Sequence, residues 1–158
     1  MQDRVEIRDL KDKDQWSTWA KSFSNEEKVL FFMPLYVHAM PSHVMEFIET
    51  LKPSMGSISF FIQSGFPKSS QSYFLEAYFE QLSMRLNRSY GGTAIKGAMK
   101  GLQMRPDKRQ TKMIQPLVDA IDYLDTHHVF YEKHQIKQNK KDTNINFVSF
   151  QYRKSRLD

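Results

Sequence analysis

Short apolar runs alternate with amphipathic stretches along most of this 158-residue chain, and that alternation narrows the fold more than any other feature. Val29-Leu-Phe-Phe-Met33 is apolar throughout and is stopped by Pro34. Ile58-Ser-Phe-Phe-Ile62 is nearly so and stops at Ser64-Gly65-Phe66-Pro67. Short, continuous runs of this kind suit strands covered on both faces. Tyr90 to Ile95 reads as a further strand, with Gly91 and Gly92 near its start and Gly97 at its end. Val5-Glu-Ile-Arg-Asp-Leu10 alternates apolar with charged residues, as a half-buried strand does.

Between these runs the spacing becomes helical. Trp16, Trp19, Ala20 and Phe23 form one stripe, and Val44, Phe47, Ile48 and Leu51 form another behind Pro41. Phe74, Tyr78, Leu82 and Leu86 follow a cap at Ser69, Ser70 or Ser72. Ile114, Leu117, Val118, Ile121 and Leu124 make the core face of a helix between Asp107 and Thr126, kinked or delayed by Pro116. The order β-α-β-α-β-α-β-α predicts an α/β protein, an open parallel sheet wrapped by helices in three layers.

The chain is about one domain long. Residues 1–126 carry the alternating pattern, and 127–158 form a basic extension. Within it, His127 to Thr143 is polar, while Ile145, Phe147, Val148, Phe150 and Tyr152 return to a β-prone pattern and predict an added strand.

Several chemistries drop out on composition. Without cysteine there is no disulfide, thiolate metal site or cysteine nucleophile. No apolar run is long enough to cross a bilayer, and Met-Gln-Asp-Arg at the start has no apolar signal region, so a cytoplasmic protein is expected. The net charge of +5 gathers late, at Lys133, Lys137, Lys140, Lys141, Arg153, Lys154 and Arg156. No nucleic-acid motif accompanies it, so a nucleic-acid role rests on charge alone and is not expected. His127, His128 and His134 sit in the polar tail with no second shell in view, so no metal site is expected. Neither paired carboxylates nor a Ser-His-acid arrangement can be read from spacing, and His38 and His43 read as cap or surface residues, so no catalytic residue is assigned.

Ligands of open parallel sheets bind beyond the carboxyl ends of the strands, and three segments lie there. Pro34-Leu-Tyr-Val-His-Ala-Met-Pro41 follows the first apolar run. Gln63-Ser-Gly-Phe-Pro67 with Ser70-Gln-Ser-Tyr73 follows the second. Gly92-Thr-Ala-Ile-Lys-Gly97 through Gly101-Leu-Gln-Met-Arg-Pro106 follows the third. In this order they resemble the strand-end loops of the flavodoxin-like NAD(P)H-dependent FMN reductase family, over roughly Val5 to Leu124. The resemblance implies an FMN-dependent NAD(P)H oxidoreductase, a flavoprotein that passes hydride from the nicotinamide cosubstrate directly to the flavin ring and on to a small-molecule or flavin acceptor. No side-chain acid or base is then obligatory. It also implies a homo-oligomer. By the same resemblance the flavin contacts fall on Pro34, Leu35, Tyr36, Val37, His38 and Met40 of the first loop and on Ser64, Gly65, Phe66 and Tyr73 of the second. Tyr36 with Met40 would supply the flat platform such a ring needs.

The chain departs from the family pattern in two ways. Lys68 and Lys100 stand where acidic residues are expected. More consequentially, the family opens with a strand and a loop rich in Gly, Ser and Thr that holds the FMN phosphate on backbone N–H groups. Here no glycine precedes Gly56, and the first strand matches the family's second. That strand would have to enter the vacated central slot, pair with another chain or leave an open edge. The segment from Ile145 to Tyr152, or a second subunit, is expected to cover the gap. Two functional readings remain: an FMN-dependent oxidoreductase, or a truncated, non-catalytic relative that keeps the fold for subunit or partner association.

Overall fold

The three apolar runs become three parallel strands in a computed structural model that describes residues 6–36, 39–64, 73–96, 106–112, 115, 118–119, 122 and 145–148. Strands β1 (Lys28–Pro34), β2 (Ser57–Gln63) and β3 (Ser89–Lys96) lie side by side in sequence order. Helix α1 (Trp16–Ser22) precedes β1, α2 (Ser42–Glu49) links β1 to β2, and α3 (Tyr73–Arg85) links β2 to β3. A fourth strand, β4 (Ile145–Val148), pairs antiparallel with β3. The α/β class and the open parallel sheet are as the alternation requires.

Register sorts the side chains onto two faces. Phe31, Phe60 and Thr93 share one face, as do Met33, Ile62 and Ile95. Here the main core forms: Phe47 of α2 packs on Phe31, and Phe79 of α3 stacks on Phe60 with ring centroids 4.1 Å apart. Trp16 of α1 meets Phe47 edge to face, and its indole N–H donates to the Leu10 carbonyl. Leu30, Phe32, Phe61, Ala94 and Lys96 take the other face, where Phe61 and Ala94 are also buried. At β2 and β3 the sheet is therefore buried on both sides, as suits strands with few polar interruptions, whereas Phe32 on the same face of β1 stays half exposed.

Between Ile58 and Phe60 of β2 the opposite strand advances from Tyr90 to Thr93, so β3 carries one extra residue. Gly92 absorbs it at φ 98°, a conformation that costs glycine little. Tyr90 and Thr93 thus meet on one face, their hydroxyls 2.6 Å apart.

Arg88, just before β3, ties down the amino-terminal edge. Its buried guanidinium donates to the carbonyls of Phe23, Glu26 and Ser57 and to the Ser54 hydroxyl, and lies 4.0 Å from the Phe23 ring centroid. Burial draws its pKa down and Glu26 pulls it back up.

The structure corrects four expectations. Residues 6–10 form no strand, and Ile7 is 91% exposed. Arg8 instead pairs with Glu6 and Glu26 and donates to Ser22, so this segment is held by polar contacts. The strand at Ile145–Val148 joins the sheet beside β3, at the far side from β1, so it does not fill the gap next to β1. On α3 the inward residues are Leu75, Phe79, Leu82 and Leu86, whereas Phe74 is 85% exposed and Tyr78 also faces outward. Residues 107–112, 115, 118–119 and 122 are helical as expected, yet Val118 is exposed rather than core. The serine caps of α3, the segment from His127 to Thr143 and Phe150 to Tyr152 lie outside the described residues.

Candidate functional site at the carboxyl edge

All three strands leave the sheet at one edge, and two backbone hydrogen bonds fix how their exits sit. Leu35 N–H donates to the Gln63 carbonyl at 2.8 Å, and Ser64 N–H donates to the Lys96 carbonyl at 2.8 Å. Leu35 and Ser64, the first residues beyond β1 and β2, and Lys96 at the end of β3 therefore lie at neighbouring strand exits. They are also the starting points of the three loops singled out in sequence.

The first turn is tight. Tyr36 and Ala39 exchange backbone hydrogen bonds at 3.0 and 2.9 Å, closing a four-residue reversal. Pro41 then accepts from Val44 and Met45, starting α2. This reversal leaves the Tyr36 ring 61% exposed at the edge. Met40, by contrast, is buried in the core cluster. Pro34 and Leu35 are half-buried, Ser64 is buried, and Tyr73 opens α3. Val37, His38, Gly65 and Phe66 lie outside the described residues, though Gly65 is bonded directly to Ser64.

Lys96 was not singled out in sequence, where it reads as one residue of a glycine-rich stretch. Its side chain is nearly enclosed, and burial pulls its pKa below the ordinary lysine value. Among the described residues no carboxylate pairs with it. A cation held this way favours an anionic atom brought within reach. One signal was available: Lys96 is the first charged residue after seven uncharged ones and marks the end of β3.

A carboxylate lies on the core side. Glu76, in the first turn of α3, has its pKa raised by burial and by Glu80, and its Oε1 is buried with no hydrogen-bond partner among the described residues. Burial also raises the Tyr90 phenol, with Glu76 and Glu80 adding to the effect and the Thr93 hydrogen bond opposing it. Among the described residues no group of three or more His, Cys, Asp or Glu side chains is placed to hold a metal ion, and no helix is long and apolar enough to cross a membrane.

Known structures give only loose likenesses. An NADPH-quinone reductase from P. pentosaceus aligns over 72% of this chain and 74% of its own, at 10% identity and a TM-score of 0.44. An FMN-dependent NADH-azoreductase from Bacillus anthracis, solved with FMN, aligns over 77% and 67% at 11% identity and 0.47. The azoreductase AzrA aligns over 75% and 66% at 12% identity and 0.44. No family model matches the chain, and no curated protein matches it.

Proposed function

We propose that the carboxyl edge of the sheet receives a flat, flavin-type ring, and that the protein is an FMN-dependent NAD(P)H oxidoreductase of flavodoxin-like build. The reading is carried by the paired backbone bonds Leu35 to Gln63 and Ser64 to Lys96, which bring the three strand exits together. A planar heterocycle needs an aromatic or apolar surface and nearby main-chain donors. Tyr36 offers the exposed ring, and Leu35 and Ser64 bring backbone to the same edge. Lys96 offers a positive charge to an electron-rich oxygen or nitrogen.

The residues fit the ring better than the phosphate. Among the described residues no strand, loop and helix precede β1 as a unit that could present N–H groups to a dianion. FMN, when bound, supplies the hydride-accepting ring; this chain's residues would hold and orient it, Tyr36 from one side and the Ser64 turn from the other. On this reading riboflavin, which lacks the phosphate, binds nearly as well as FMN.

Fluorescence titration tests this directly. Purified protein should quench both riboflavin and FMN, with affinities within about tenfold of each other, a difference of about 1.4 kcal/mol. Absence of quenching with either flavin sinks the proposal.

A second reading, association without catalysis, draws on other observations. Phe74, Tyr78 and Met84 are exposed along the outer side of α3, and β1 has no strand beyond it among the described residues. Colourless protein that ignores both flavins would favour that reading.

A further inference from the structure

We infer that the side of β1 away from β2, unpaired among the described residues, is a strand-pairing edge for a second copy of this chain, joined antiparallel about Phe31 so that the two sheets become one. The inference is independent of flavin binding and rests on the edge itself.

Among the described residues, β1 is bonded on one side only, to β2. Backbone groups alternate along a strand, and Leu35 N–H points to Gln63 of β2. Counting back, Phe31 and Met33 also turn toward β2, while the N–H and C=O of Leu30 and Phe32 turn toward the open side. Unpaired groups on an apolar strand edge are a template for another strand.

The sequence of β1 is complementary to itself in one register. Antiparallel pairing over the full strand places Phe31 opposite Phe31 of the second copy, Val29 opposite Met33, and Leu30 opposite Phe32. The outward residues then exchange N–H···O bonds in pairs, as the hydrogen-bonded positions of an antiparallel ladder do. Lys28 falls opposite Pro34, whose missing N–H is harmless at the end of the ladder. The two Lys28 residues stand roughly 20 Å apart, six strand residues, beyond the screening length of about 8 Å in physiological salt. Nothing charged faces a like charge along Val29–Pro34.

Side-chain exposure agrees with the backbone. Phe32 is 52% exposed although it stacks on buried Phe61 at 4.8 Å. In the proposed pair it would lie beside Leu30 of the second copy on the same face. Aromatic and aliphatic cross-strand neighbours of this kind add stability to a ladder. A strand from an unrelated protein would satisfy the same backbone groups, but it would not be guaranteed the matching order of Leu30 and Phe32.

Sedimentation velocity of the full chain over a concentration series, with far-ultraviolet circular dichroism of each variant, decides the matter. The wild type should move toward twice its 18.7 kDa mass as concentration rises. Phe32→Lys and Leu30→Pro should remain folded monomers, because Phe32 is exposed and the Leu30 N–H turns away from β2 and meets no partner among the described residues. Phe74→Ser/Tyr78→Ser, on the outer side of α3, should dimerise like the wild type. Hydrogen exchange guards against misfolded variants: in the wild type, the Leu30 and Phe32 amides should slow with concentration while β2 amides do not change. A wild type that stays monomeric, a dimer that survives Phe32→Lys, or Leu30 and Phe32 amides indifferent to concentration overturns the inference. Flavin quenching by Phe32→Lys should match the wild type, so the two proposals fail separately.

Discussion

Arg88 occupies the space that a side chain on residue 56 would need. A Cβ built on Gly56 would lie 2.6 Å from Arg88 Nη1 and 2.7 Å from the Glu27 carbonyl oxygen, and Gly56 sits at φ +122°. The glycine and the guanidinium together let the turn before β2 close over the start of β1. Gly56→Ala should destabilise the fold by about 1–3 kcal/mol through backbone strain alone. Arg88→Ala should cost about 3–5 kcal/mol, because several carbonyls lose their donor in a buried place. Arg88→Lys should recover little, since three donors on a single nitrogen cannot span the four acceptors that the planar guanidinium reaches from three nitrogens. Urea denaturation of the three variants checks the order.

Two phenylalanines on α3 should behave in opposite ways. Phe79 stacks on Phe60 with no exposure, so Phe79→Ala should cost about 3–5 kcal/mol. Phe74 faces outward, and Phe74→Ala should stay within about 0.5 kcal/mol of the wild type. Comparable thermal melts would show that the helix is rotated from its place here.

That contrast shows where the sequence was readable. Phe74, Tyr78, Leu82 and Leu86 share their last two members with Leu75, Phe79, Leu82 and Leu86. Both series keep helical spacing, and only packing against Phe60 chooses between them. The parallel strands were plain because burial, on both faces of β2 and β3 and on the Phe31 and Met33 face of β1, keeps their runs largely apolar. Val5 to Leu10 misled for a different reason: alternation describes a strand only if a neighbour accepts it, and Arg8 found Glu26 and Ser22 instead. At the candidate site, the adjacency of the turns followed from strand order. Lys96 did not, because its burial is a property of the folded sheet and not of the residues on either side of it in sequence.

Lys96 should leave a mark on the pH dependence of stability. Its folded pKa lies below the ordinary 10.5, so the unfolded chain binds that proton more tightly. Stability should therefore rise as pH climbs from the depressed value toward 10.5 and then level off. In Lys96→Met this rise should vanish. Unfolding midpoints across the alkaline range provide the measurement.

Glu76 should act in the opposite sense. Its folded pKa is above the ordinary 4.5, so the folded chain holds the proton more tightly. Stability should fall as pH rises from 4.5 through the elevated value. Glu76→Gln should flatten that part of the profile and raise the melting temperature at neutral pH. An unchanged acid-side profile in Glu76→Gln would show that the carboxylate is well solvated.

Tyr36 separates binding from folding. With its ring mostly in solvent, Tyr36→Ala should leave stability within about 0.5 kcal/mol. Riboflavin quenching should weaken by about 0.5–1.5 kcal/mol, the worth of one aromatic contact. Equal flavin affinity in both proteins would remove Tyr36 from the site.

The doubled step at Gly91 and Gly92 has a consequence for the polarity of the sheet. In an unkinked ribbon, three positions separate opposite sides, and Tyr90 inward would force Thr93 and Ile95 out and turn Lys96 toward the main core. Because the chain loiters for one residue at Gly92, its oily half stays oily and its single ammonium lies enclosed on the reverse side, at the strand's very end. A surplus glycine thereby sets which way the edge is charged.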